Sequence, residues 1–417
     1  MEPTVAKPAK TGRIVFIDVL RAYAILMMLQ GHFVDTLLAE TYRNPDSTLY
    51  YIWSFMRGMT APIFFTVTGL VFTFLLLRDG RPLRENKRVK KGLKRGLFLL
   101  YVGYLLKINF PALFAGYLSS WVWTIDVLHI IGLALIGLIA VCAIRELVGG
   151  SLAVWMLVFG AGTFLIDPYF TEPTWDETPR FFANFFTRDY GSNFTIVPWL
   201  GFAFFGGAIG YALSRKPKWA FSHWFPFLLL AFGFTLTKGS WQMLYNAYQL
   251  TGWENLPVLF NNNYLFWRLG HVFMVMSMFM WGIARIGQVP RLITKIGSET
   301  LTIYGAHYVL LYGTWFGLGL SQIFGYRSLS PIPCIIGAAL FVFAHIKFIQ
   351  HIEPLREIWY VQLPAYLRRQ QRLALIWLKR DWPKLRAQLI VQWQSRLSEA
   401  PNWLLPLVRV MSRRTKD

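Results

Sequence analysis

Ionisable side chains follow one face of the first hydrophobic segment, RIVFIDVLRAYAILMMLQGHFVDTLL. At about 100° per residue, the eleven-residue step from Arg21 to His32 completes almost three helical turns, so both side chains point the same way, about 16 Å apart along the axis. Asp18 lies three residues before Arg21, and Asp35 lies three residues after His32, near the same face. Ionisable groups inside a membrane helix are costly and therefore mark interior cavities and function.

His32 is the candidate catalytic base. A neutral imidazole in a membrane interior can take a proton from a hydroxyl or an amine, and Asp35 is expected to orient it or to balance its charge. Arg57 lies in the second apolar segment, WSFMRGMTAPIFFTVTGL, at the depth expected for His32. Its guanidinium can stabilise an oxyanion or hold a carboxylate or phosphate. The alternative for His32 is a structural hydrogen bond to a neighbouring helix. The alternatives for Arg57 are an ion pair with Asp35 and snorkelling to the outer headgroups.

Basic residues at the other end of these segments suggest a site for an anionic donor. Arg21 either pairs with Asp18 or lines the donor's entry. The segment RDGRPLRENKRVKKGLKR would attract phosphates, including those of a coenzyme A, or else it sets topology and contacts lipid. The residues of this region that we expect to bind the donor are Arg21, Lys90, Lys91, Lys94 and Arg95.

Further polar and aromatic residues recur in the later apolar segments, where they either bind substrate or form hydrogen bonds between helices. Those expected to bind substrate are Asp126, His129, Trp199, Arg268, His271 and His307. Two long segments, 167–193 and 238–263, are predicted to be loops on the same side. Their aromatic, amide and carboxylate side chains suit sugar recognition, or else form an interfacial aromatic belt.

The composition is that of a membrane protein with several spans. Of the 417 residues, 55% are hydrophobic and 15% are charged, against about 25% charged in soluble domains. An all-α bundle of ten membrane helices of about twenty residues each is predicted. The predicted spans are 14–38, 51–77, 96–116, 122–144, 148–166, 194–213, 221–237, 264–284, 297–320 and 331–350.

The distribution of charge predicts the topology. With both termini in the cytoplasm, 32 of the 42 Lys and Arg residues fall in cytoplasmic segments. The net charge of +21 therefore reflects topology and lipid contact rather than nucleic-acid binding. We expect a membrane domain over 1–350 and a basic amphipathic cytoplasmic tail over 351–417 that lies on the inner leaflet. Because no organelle signal is evident, the expected location is a cell inner membrane. No cleavable signal peptide is evident, so the first apolar segment is expected to stay as the first span.

Several chemistries have no sequence support. The chain lacks a Gly-rich phosphate loop, a nucleophile elbow, an H-E-x-x-H motif and a cysteine cluster, so neither ATP-driven transport nor a metal centre is predicted. Cys142 and Cys334 both lie in apolar runs and are interpreted as packing residues.

The motif Asp18-x-x-Arg21, followed after ten residues by His32, resembles the R-x10-H motif of integral-membrane acyltransferases. RGMTAPIFFTVTGL resembles their second helix. DVLHIIGLAL, VPWLGFAFFGGAIGY and IGSETLTIYGAHYVLL resemble later blocks of the branch related to heparan-α-glucosaminide N-acetyltransferase. The likeness covers roughly residues 13–350. It departs from the pattern at Ala22, where Gly is common, and the tail after Pro354 has no counterpart in the family.

The resemblance implies transfer of an acyl group, most often acetyl, from cytosolic acyl-CoA to a saccharide or glycolipid on the other side of the membrane. It also implies that His32 is the catalytic histidine. The alternatives are a proton-coupled transporter or lipid-linked sugar flippase and a non-catalytic subunit of a glycan assembly system. The acceptor, the acyl chain, O- or N-acylation and association into homo-oligomers are left open.

Overall fold

The computed structural model of the protein describes residues 14–171, 173–358 and 362–398, and over these residues the secondary structure is helical. One isolated bridge joins Leu38 to Leu329. The chain divides into two compact units, Met1–Ile349 and Gln350–Asp417. Residues 1–13 and 399–417, which the sequence analysis places in the cytoplasm, lie outside the described residues.

The helices are numbered in chain order. The first half contains α1 Val15–Leu37, α2 Thr48–Gly58, α3 Thr60–Leu77, α4 Lys87–Leu105, α5 Phe110–Phe114, α6 Val127–Val148, α7 Leu152–Leu165, α8 Pro168–Thr171, α9 Arg180–Ala183 and α10 Ile196–Arg215. The second half contains α11 Trp224–Thr251, α12 Leu256–Asn262, α13 Tyr264–Ile286, α14 Arg291–Ser298, α15 Thr300–Tyr312, α16 Leu320–Phe324, α17 Pro331–Gln350, α18 Ile352–Glu357 and α19 Leu363–Ser398.

Among the described residues, six helical segments are long and apolar enough to cross a membrane. The chain is therefore a multi-pass, all-helical membrane protein, whereas ten spans and the cytoplasmic position of both termini remain predictions. The six segments are Val15–Leu37, Thr48–Leu77, Ser120–Val148, Ile196–Arg215, Tyr264–Ile286 and Pro331–Gln350.

Three predicted spans have wrong boundaries. Instead of 96–116, α4 covers Lys87–Leu105, because the side chain of Asn86 caps its first turn by accepting from the Arg88 N–H. Instead of 297–320, α15 ends at Tyr312, where Gly313 adopts a left-handed φ of +64°.

The predicted span 221–237 is part of α11, which continues to Thr251. Most of 238–263 is therefore helical rather than a loop.

Glycines bring several helix pairs into backbone contact. A Cβ on Gly69 of α3 would collide with the carbonyl of Ala203 in α10, and one on Gly206 of α10 would collide with the carbonyl of Thr66. Gly297 of α14 packs in the same way on the backbone of Asp18. Small residues at membrane helix interfaces permit this approach. Gly69 and Gly206 thus allow α10 to pack against one face of α3. The opposite face of α3 lines an internal cavity.

Candidate functional site

A cavity of about 870 Å³ runs inside the first unit, within the size range of small-molecule sites. One stripe of each of five helices, α1, α3, α4, α6 and α15, lines most of it. On α1 the lining positions recur every three or four residues, which is the spacing of one helical face. The α1 residues that line the cavity are Arg21, Ile25, Met28, Gly31, His32, Asp35 and Thr36.

His32 is held by a hydrogen bond from a distant helix. Its Nδ1 lies 2.8 Å from the hydroxyl oxygen of Tyr312. The ring of His307 packs beside His32 with centroids 5.1 Å apart. The ring of His32 is therefore fixed in orientation at the cavity wall.

Asp35 does not take the position next to the His32 ring that the sequence analysis gave it. Its carboxylate pairs with the guanidinium of Arg57, and its second partner, Arg43, has Nη1 3.6 Å from Oδ1. Arg43 also donates to the backbone oxygen of Asp35 at 2.5 Å. Gly31 leaves room on α1 for the stem of Arg57. Asp35 therefore anchors two arginines at the cavity, while Tyr312 orients His32.

A second set of buried polar groups centres on Asp126. The Tyr308 hydroxyl donates to Asp126 Oδ2 at 3.1 Å, and Lys107 Nζ lies 3.7 Å from the same oxygen. His129 Nδ1 lies 2.9 Å from Asp126 Oδ1 as part of a capping box at the start of α6. Lys107 also donates to the carbonyl and the hydroxyl of Thr124 at 2.5 and 2.8 Å. Asp126 lines the cavity, whereas the imidazole of His129 lies behind it.

The opposite end of the cavity is basic. Arg88, Lys91 and Arg95 of α4 line it, because offsets of three and four residues place them on one helical face. Lys90 and Lys94 were also predicted to bind the donor. On the helix they lie about 100° or more from the middle of this stripe, and they do not line the cavity. Arg21 does line it, and its Nη2 donates to Thr300 Oγ1 at 2.9 Å.

The remaining predicted substrate residues divide into two groups. Trp199 lines the cavity, but Arg268, His271 and His307 do not. The Arg268 guanidinium lies among Phe55, Tyr264 and Trp267 at 4.9 to 5.2 Å from the ring centroids. His271 Nδ1 contacts the carbonyl of Trp267 at 2.8 Å. Arg268 Nη1 donates to the carbonyl of Phe55 in α2 at 3.2 Å, which is the hydrogen bond between helices that was held as the alternative. The contact of His271 with Trp267, in contrast, lies within α13.

Two sets of residues at or beside the cavity were not predicted from the sequence. Tyr304, Tyr308 and Tyr312 recur every four residues on α15 and line it together with Thr300. Their spacing was a detectable signal. Lys107 had no such signal, because its contact with Asp126 depends on the turn that follows α4. In the described part of the chain, no three His, Cys, Asp or Glu residues are arranged to hold a metal ion.

Comparison with known families places the chain in a family of enzymes. The family model described as "Heparan-alpha-glucosaminide N-acetyltransferase, catalytic" matches residues 13–250, more than half of the chain. No curated protein and no solved structure matches the chain. The matched region contains α1 to α10 and most of α11, and so includes His32, Arg57 and the basic stripe of α4.

Proposed function

Since the chain belongs to the family of the heparan-α-glucosaminide N-acetyltransferase catalytic domain, we propose that it transfers an acetyl group from cytosolic acetyl-CoA to a saccharide across the membrane. We infer that Arg21, Arg88, Lys91 and Arg95 bind the phosphates of the donor. The acceptor would approach from the end that holds His32 and Arg57. Both termini would then lie in the cytoplasm, with the basic tail on the inner leaflet of the cell membrane.

The observation that carries this proposal is one cavity with chemically different ends. From Arg21 to Thr36 the lining positions extend over fifteen residues, or about 22 Å of helix. Acetyl-CoA has the same polarity, because its phosphates and its thioester lie at opposite ends of the pantetheine arm. Apolar lining between the ends, including Ile25, Met28 and Leu99, suits that arm.

In the proposed reaction, His32 acts as the general base. With Nδ1–H donating to the Tyr312 oxygen, Nε2 accepts the proton from the acceptor hydroxyl or amine as that group attacks the thioester carbonyl. The guanidinium of Arg57, held by Asp35, stabilises the negative oxygen of the tetrahedral intermediate. The intermediate collapses with cleavage of the carbon–sulfur bond, and the imidazolium returns its proton to the departing CoA thiolate.

The test is transfer of labelled acetyl groups by membranes that contain the full chain. We expect His32→Ala to lower the rate by about 10²–10⁴, the usual contribution of a general base. The protein should remain folded and still bind acetyl-CoA. The matched control is His271→Ala, which removes a histidine outside the cavity. Undiminished transfer by His32→Ala would exclude this role. Saccharide flux into vesicles without acetyl-CoA would instead support the transporter alternative.

A further inference from the structure

A second cavity of about 500 Å³ adjoins the first. Its walls come from the segments around α8, α9 and α12 and from the start of α13, and Trp199 and Tyr264 line both cavities. The two cavities therefore meet at these two side chains. Among the polar groups of the second cavity, only Trp199 was predicted to bind substrate, and the proposed reaction uses none of them.

Two residues that line this cavity each carry a buried polar atom with no hydrogen-bond partner among the described residues. These atoms are Oδ1 of Asp167 and Nε1 of Trp199. Trp199 is only 6% exposed, and the rings of Phe65, Phe194 and Phe202 pack around it with centroids 4.8 to 5.8 Å away. A buried polar group without a partner costs about 1–3 kcal/mol, so one carboxylate acceptor and one indole donor at the same cavity indicate a ligand that satisfies both.

We propose that this second cavity binds the sugar acceptor, and that its ligand is an uncharged saccharide whose hydroxyls donate to Asp167 and accept from Trp199. The inference rests on the proposed function, because it supplies the acceptor of that reaction. A sugar hydroxyl can both donate and accept, so one ring can serve both atoms.

The charges at the cavity exclude an anionic sugar. Asp167 and Asp189 line it with a single guanidinium, that of Arg188, which lies 5.8 Å from the Trp199 ring centroid. The net charge is therefore negative when both carboxylates are ionised. Arg188 and Asp189 are exposed at the rim, as is the amide of Asn262, while Asp167 and Trp199 lie deeper. A uronic acid or a sugar phosphate would bring a like charge to Asp167.

The experiment is direct binding of methyl glycosides to the full chain in detergent, measured by saturation-transfer NMR. The neutral probes are the methyl glycosides of glucose, mannose and N-acetylglucosamine, and the anionic probe is methyl glucuronide. We expect at least one neutral probe to bind saturably and the glucuronide to bind at least tenfold more weakly. Asp167→Asn and Trp199→Phe should each weaken the neutral probe about tenfold or more, the cost of about 1.4 kcal/mol per lost hydrogen bond.

The controls separate this inference from the proposed function. Asp46→Asn removes an exposed carboxylate outside both cavities and should bind the probe like the wild type. Each variant should still gain thermal stability from acetyl-CoA, which shows that it is folded. Failure of every neutral probe to bind, or unchanged binding in both Asp167→Asn and Trp199→Phe, would overturn the inference. Saturable glycoside binding without any acetyl transfer would instead overturn the proposed function and leave the sugar site standing.

Discussion

Nδ1 of His32 lies 2.8 Å from the hydroxyl oxygen of Tyr312, although 280 positions separate the two residues in the sequence. The contact joins the last third of α1 to the last turn of α15, with α15 held at its other end by the Arg21–Thr300 hydrogen bond. Two hydrogen bonds therefore connect this pair of helices along the cavity. The orientation of the proposed base depends on a helix beyond the region that the family model matches.

Replacing Tyr312 by Phe should slow acetyl transfer without weakening donor binding. The lost hydrogen bond leaves the tautomer of His32 unfixed, and a loss of about 1.5–3 kcal/mol corresponds to about 10–100-fold in kcat. The KM for acetyl-CoA should stay within about twofold, because the basic stripe is unchanged; that ratio is worth about 0.4 kcal/mol. Steady-state kinetics with labelled acetyl-CoA measure both quantities, together with the pH profile of kcat.

Tyr326→Phe is the control for this prediction, because Tyr326 lines the same cavity and is largely exposed. It should leave kcat and its pH profile unchanged. A Tyr312→Phe enzyme with wild-type kcat and pH profile would show that Tyr312 has no part in positioning His32.

The basic stripe of α4 should control the affinity for the donor. Lys91→Ala and Arg95→Ala each remove a cation that lines the cavity, so each should raise the KM for acetyl-CoA about tenfold, the value of about 1.4 kcal/mol per charged contact. The kcat at saturating donor should change little. Lys90→Ala and Lys94→Ala are matched controls on the same helix, because they remove the same charge from a face outside the cavity. Equal effects in all four variants would indicate a general charge effect rather than binding in the cavity.

The sequence predicted the relationships that lie within one helix. The angle between Arg21 and His32 follows from the helical period, and both residues do line one cavity. The spacing of Arg88, Lys91 and Arg95 could have predicted in the same way that they share one face of α4. The prediction instead treated residues 78–95 as a loop. It therefore included Lys90 and Lys94 and omitted Arg88. The error arose because hydropathy detects the apolar part of a helix and not the polar turns before it.

Relationships between helices were not predictable in the same way. The carboxylate of Asp35 pairs with arginines from two other segments, Arg57, which was named as a possible partner, and Arg43, which was not. The ring of His32 has a partner from α15. Nothing in the spacing along α1 selects between these partners. For His271, the helical context predicted an ionisable residue near the outer end of a span. Only the set of residues that line the cavity, which does not include His271, shows that it packs elsewhere.

Close helix packing should make certain glycines intolerant of substitution. Gly69→Ala would place a methyl group against the carbonyl of Ala203, so α3 and α10 would have to separate. Overpacking of this kind costs about 1–3 kcal/mol and should lower the thermal midpoint in detergent. Gly162→Ala in α7 is the control, because nothing lies within 4 Å of its added methyl group. Its helix should gain up to about 1 kcal/mol. Equal midpoints for both variants would contradict the backbone contact between α3 and α10.

Asp167 should reduce stability at neutral pH. Burial raises the pKa of its carboxyl group to about 6, with the charge of Arg188 opposing the shift. At pH values between the ordinary pKa of about 3.9 and this raised pKa, the folded protein binds the proton of Asp167 more tightly than the unfolded chain does. The stability that comes from the protonated carboxyl group is therefore lost as pH rises from about 4 to about 6. Asp167→Asn should therefore have a higher thermal midpoint than the wild type at pH 7.5 and little advantage at pH 4. The same advantage at both pH values would show that the effect is not due to ionisation of Asp167.

The same ionisation should control sugar binding in the opposite direction. An ionised Asp167 is a stronger acceptor for sugar hydroxyls, so the affinity for a neutral methyl glycoside should fall as pH is lowered through about 6. Arg188 stays protonated throughout this range, and Asp189, the other carboxylate at the cavity, is exposed at the rim. Asp167→Asn should bind more weakly at pH 7.5 and show no step near pH 6. A step that persists in this variant would assign the pH dependence to another group, whereas its loss would assign the pH dependence to Asp167.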